Sequence, residues 1–155
     1  MGNVADYVPG DWFMAYSIDE LQEFFMSRLP VVREAAHKHG YAIGLHGSAR
    51  RDFDLIAMQW RDGASHPDVL ASAIQYAACG ITADKFFWER KPAGRFATSM
   101  CICWTDHSEQ FAGMLSVGHI DLSLIPPAEH GDPPNVIHKP SILPGVQEVS
   151  IQSPV

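Results

Sequence analysis

Cysteine is scarce in this 155-residue chain: Cys79, Cys101 and Cys103 are the three present, an odd number whose C-x-C pair is too close in sequence for an easy bridge within a strand. A disulfide scaffold is therefore excluded and a reducing cytosol is the expected setting. No apolar run approaches the roughly 20 residues a bilayer-crossing helix requires, so an integral membrane protein is not expected. The opening MGNVADYVPGDWF has no basic region before an apolar stretch, and Gly2 is not followed by the Ser/Thr of a myristoylation signal. A soluble, cytoplasmic protein without a targeting signal is the expectation. Positive charge is also in short supply, with 11 Lys and Arg against 18 Asp and Glu and a formal charge of −7. Such a surface repels long polyanions, which argues against duplex nucleic acid as the main partner, and no membrane partner is expected. A Walker loop, a dinucleotide Gly-x-Gly-x-x-Gly, a Gly-x-Ser-x-Gly elbow and an internal repeat are all absent, so hydrolase and dehydrogenase readings have no support.

What remains is one domain's length of chain, 46% hydrophobic, enough to cover a real core. Residues 1–16 read as an N-terminal arm. Ser17-Ile18-Asp19-Glu20 is a capping box that starts a helix, continued by Leu21, Phe24, Phe25 and Leu29, whose aromatics belong to the core. Pro30 then predicts a kink or two short helices ending at Gly40. Tyr41–His46 and Phe53–Trp60 read as strands, close enough in sequence to pair antiparallel. Ser65 caps a second helix, with Pro67 in its first turn, an apolar face of Val69, Leu70, Ala73, Ile74 and Ala77, and Gly80 as its stop. Gly94–Trp104 and Gly118–Ile125 complete an α+β domain over 17–125: an antiparallel sheet of about four strands with two main helices on one face, in the order α-β-β-α-β-β. From Pro126 the chain becomes an extended, proline-rich tail (126–155), with enough apolar residues to lie across the domain or against a second subunit.

The segment from Gly44 to Ile56 carries the most chemistry. A strand period of two sets Asp52 and Asp54 on one face, where paired carboxylates can share a divalent cation. The adjacent Gly47-Ser48 turn offers backbone N–H groups and a hydroxyl to a phosphate. Asp121, in Ile120-Asp121-Leu122-Ser123, is a candidate third carboxylate for the same face, and His46 and His119 each sit beside a candidate Asp. Most of the eleven cations fall between positions 50 and 95. Arg50 and Arg51 flank the turn, while Arg90, Lys91 and Arg95 surround a Pro/Gly bend, with Phe86, Phe87, Trp88 and Phe96 near enough in sequence to stack on a base. Cys101 and Cys103 with His107 fall short of a four-ligand metal set and read as small core side chains.

A Gly-Ser turn after an apolar strand, an Asp-x-Asp strand and a lone Asp on a later strand resemble the core signature of the nucleotidyltransferase superfamily. The resemblance implies that Gly47 and Ser48 hold phosphates and that Asp52, Asp54 and Asp121 hold Mg²⁺ or Mn²⁺ for in-line attack. Only Ala49, Arg50 and Arg51 separate the turn from Asp52, where the family has a longer insert, often helical. That shortening favours holding a nucleotide over transferring one. The strings YAIGLHGS, RDFDLIA, KPAGR and IDLSLIP, over about residues 31–126, are also similar to small phage and prophage proteins. This second resemblance implies an accessory protein in the cytoplasm of an infected bacterial host, of the kind that sequesters a nucleotide or cyclic oligonucleotide signal of antiviral defence.

The combined expectation is a homo-oligomeric nucleotide-binding protein that requires no cofactor. Its ligand site draws on His46, Gly47, Ser48, Arg50, Arg51, Asp54, Lys91, Arg95, His119 and Asp121. The alternative is a metal-dependent nucleotidyltransferase-like enzyme using Asp52, Asp54 and Asp121. The first expectation requires the two cation-bearing bends, 46–54 and 90–96, to meet at one phosphate cradle.

Overall fold

The computed structural model describes residues 17–50, 52–103 and 116–137; the arm expected over 1–16, Arg51, Trp104, His107 and the tail beyond 137 lie outside the described residues. Helix α1 spans Ile18–Lys38 and starts where the sequence places it, the Ser17 hydroxyl accepting from the Glu20 N–H at 3.1 Å. Leu21, Phe24, Phe25, Leu29, Val32 and Ala36 form its buried stripe. The expected break at Pro30 does not occur, and the helix runs through it. Pro30 is exposed, as is Met26 one turn earlier, so the carbonyl that loses its N–H partner lies on the solvent side, where water can take the bond. Gly40 ends this segment with φ 89°, packed so closely on the next turn that a Cβ would lie 2.9 Å from the Ala64 Cα.

Alternating burial then builds β1 (Tyr41–Leu45) and β2 (Asp52–Gln59), antiparallel neighbours with Tyr41 opposite Gln59. Helix α2 (Pro67–Cys79) follows. Its cap is His66, whose ring accepts from the Asp68 N–H at 3.2 Å, and not Ser65, whose hydroxyl is bonded to the His39 ring at 2.8 Å. Its buried face also differs from the expected one: Leu70, Ala71, Ile74, Gln75 and Ala78 are inside, and Val69 is exposed. In a helix apolar on nearly every side, periodicity does not single out the face that packs. Gly80 stops it in the left-handed conformation, as read.

The remaining strands are β3 (Trp88–Lys91), β4 (Arg95–Cys103), β5 (Ser116–Leu124) and β6 (Val136–Ile137). The sheet therefore has six strands where about four were expected, and it is mixed: in the order β1-β2-β5-β4-β3-β6, the pairs β2–β5 and β3–β6 are parallel and the others antiparallel. Strand β6 lies within the stretch read as an extended tail that lies across the domain or against a second subunit, and it pairs with β3. Around it, Asn135 accepts from the Trp88 N–H at 2.8 Å, His130 bonds the Ala64 carbonyl at 2.8 Å, and Asp132 pairs with Arg90.

Phe53, Leu55 and Ala57 of β2, Ile120, Leu122 and Leu124 of β5, and Phe96, Met100 and Ile102 of β4 face the core with the buried stripes of α1 and α2. Trp88 is fully buried there, its indole N–H donating to Asp68 at 2.7 Å. At the free side of β1, the Arg33 guanidinium donates to the outward carbonyl of Ile43 at 3.2 Å. Among the described residues no helix is long and apolar enough to cross a membrane.

Candidate functional site

Because the core takes every second residue, the others line the opposite face of the sheet, and the register sorts them into rows. The first row is Asp52, His119 and Cys101, from β2, β5 and β4. The second is Asp54, Asp121 and Ser99, with His46 opposite Asp54 just past the end of β1, its N–H donating to the Asp54 carbonyl at 2.8 Å. The third is Gly44, Ile56, Ser123, Ala97 and Glu89. In the fourth, Ala42 and Met58 pair across β1 and β2, Arg95 and Lys91 pair across β4 and β3, and Ile125 follows the end of β5.

The second row holds the unusual chemistry. Parallel pairing sets Asp54 directly opposite Asp121 on adjoining strands, a juxtaposition of like charges that costs free energy unless something intervenes. Burial, the charge of Asp121, a hydrogen bond to the Asp121 carboxyl and the charge of Asp52 all push the Asp54 carboxyl above its ordinary range, with His46 pulling the other way. Among the described residues, no Lys or Arg forms an ion pair with either carboxylate.

The Gly47-Ser48 turn stands over this row. Gly47 has φ 83°, and a Cβ there would lie 3.4 Å from an Asp54 carboxylate oxygen, so the turn passes close to the acid. Ala49 also takes a positive φ, 56°, and is buried, and the Gln22 amide of α1 donates to the Ser48 carbonyl at 2.8 Å. The turn is thereby fixed to the first turns of α1, with Ser48 itself exposed.

The cations are arranged otherwise than the sequence reading required. Arg50 lies 3.5 Å from Asp19 of α1, an exposed pair. Lys91 and Arg95 belong to the far end of the face: Arg95 opens β4, whereas Cys101, six residues on, is the member of β4 level with His119 and Asp52. Six strand residues span about 20 Å, so the bends 46–54 and 90–96 do not meet at one cradle. Strand β4 runs antiparallel to β5, which sends its first residues to the end opposite the Gly-Ser turn. His119 is on the face but one row below Asp54. Cys101, read as a core residue, is exposed beside His119. Ser99 is a member of the central row that sequence reasoning missed; a serine in an apolar strand gives no signal until the register is known.

Among the described residues, no group of three or more His, Cys, Asp and Glu side chains could by itself hold a metal ion. Two carboxylates remain, and Mg²⁺ is commonly held by one or two carboxylates, with water and ligand phosphates completing its shell. The donor set fits such a shared ion. Comparison with protein-family models, with curated proteins and with solved structures finds no match to this chain.

Proposed function

We propose that the protein binds a nucleotide through a divalent cation shared between Asp54 and Asp121, with the exposed Gly47-Ser48 turn receiving the phosphates, and that it holds this ligand intact. The observation that carries the reading is the register of Asp54 opposite Asp121 beneath that turn. Without a cation, three aspartates would repel a phosphate placed there. With Lys91 and Arg95 at the other end of the sheet, Mg²⁺ or Mn²⁺ takes the neutralising part that a basic cradle was expected to play. The resemblance to small phage proteins supports sequestration of a nucleotide signal of host defence as the setting, and the short turn supports retention over turnover.

The test is calorimetry with a panel of mono-, cyclic di- and cyclic trinucleotides, in Mg²⁺ and in EDTA. Binding in Mg²⁺, weakened at least tenfold by EDTA and by Asp121→Asn, is the expected result; equal binding in EDTA would overturn the reading. Nucleotidyl transfer is the second reading, favoured by the third carboxylate, Asp52, one row away. Mass spectrometry of the nucleotide released after incubation separates the two, since a sequestering protein returns it unchanged.

A further inference from the structure

Past the carboxylates, the open face continues as a floor of uncharged side chains, Gly44, Ile56, Ser123 and Ala97, with Glu89 at its β3 margin, and ends in a row of different character. There Met58 is 55% exposed and Ile125 60% exposed, two apolar side chains left uncovered beside the cations Arg95 and Lys91. The Arg95 Nε donates to the Pro92 carbonyl at 3.3 Å, which orients the guanidinium, and its terminal amino groups have no partner among the described residues. Lys91 is partly neutralised by Glu89 at 3.2 Å, so Arg95 is the principal cation of the row. The face is thus acidic at one end and basic with an apolar margin at the other. The Asp54–Asp121 row and the Arg95 row are four strand residues apart, about 13 Å.

We infer that the row of Met58, Ile125, Arg95 and Lys91 is a second subsite for the same ligand, taking a further phosphate and its base, so that the ligand is a short oligonucleotide of two or three residues and not a mononucleotide. The inference rests on the cation-dependent reading of the first subsite. A mononucleotide anchored at Asp54 and Asp121 places no second anion near Arg95. An oligonucleotide does, its bases crossing the uncharged side chains of the third row and covering Met58 and Ile125, while guanidinium and phosphate form a charge-assisted contact.

The experiment measures affinity for AMP, linear pApA, cyclic di-AMP and cyclic tri-AMP in Mn²⁺, for the wild type, for Arg95→Gln combined with Lys91→Gln, and for Ile125→Asp. The expected result is that at least one oligonucleotide binds ten times more tightly than AMP, and that both variants lose this advantage while binding AMP as before. The linear and cyclic arms identify the form. Oligonucleotides binding no better than AMP, or variants that leave the advantage intact or weaken AMP equally, would overturn the second subsite and leave the first standing. Failure of every nucleotide to bind the wild type would remove both.

Discussion

At the scale of single residues, Asp54 is the group on which the fold and the proposed ligand make opposite demands. Its carboxyl is held above the ordinary range, chiefly by burial and by Asp121, so the folded protein disfavours its charge more than the unfolded chain does. A raised carboxyl leaves stability unaffected when both states are protonated, below about pH 4, and lowers it progressively as pH rises through the folded value. Asp54→Asn is therefore expected to raise the melting temperature at pH 7, with the gain shrinking as the pH falls toward 4, and to abolish cation-dependent nucleotide binding. Thermal denaturation across that range, beside calorimetry at pH 7, checks both halves. An asparagine variant less stable than wild type at neutral pH would contradict the electrostatic account. Asp54 and Asp121 were legible from the sequence because a carboxylate alternating with core residues points away from the core. Their direct opposition was not, because it depends on which strands are neighbours.

At the scale of elements, α1, β1, β2, α2, β4 and β5 could be read because their apolar residues recur with the period of a helix or a half-buried strand. The Trp88–Lys91 strand could not: its four residues include three charged ones, and its place is set by the backbone of Asn135 and by β4. The Val136–Ile137 strand is two residues long amid prolines, too short for any period. Turns carry their own constraint. Gly40 combines φ 89° with a close approach to Ala64, and the turn it forms joins α1 to the strand that leads to Gly47. Gly40→Ala is expected to cost about 1–2 kcal/mol from the left-handed conformation alone, with more for displacing Ala64. Urea unfolding measures it, and a midpoint equal to wild type would show that the turn relaxes freely.

For the molecule as a whole, the parallel β2–β5 pairing is what assembles the candidate site, since Asp54 and Asp121 meet only after α2, β3 and β4 have been threaded between them. The two carboxylates come into register only through this pairing, so a cation and nucleotide should bind the folded chain and not the unfolded one. Ligand at a hundredfold excess over its dissociation constant is then expected to add about 2.7 kcal/mol of stability, read as an upward shift in the melting transition in Mg²⁺ and no shift in EDTA. The same topology explains why the expected basic cradle did not form. Reversal of the chain between β3 and β4 carries Lys91 and Arg95 to the far end of the sheet, a matter of strand direction that local composition does not encode.

The Arg33 contact with the Ile43 carbonyl bears on how the molecule behaves when concentrated. An uncovered outer strand is a template on which another chain can add itself, the first step toward fibrillar aggregates. Any chain extending the sheet beyond β1 must first displace that guanidinium, and at the other margin β6 offers a foothold only two residues long.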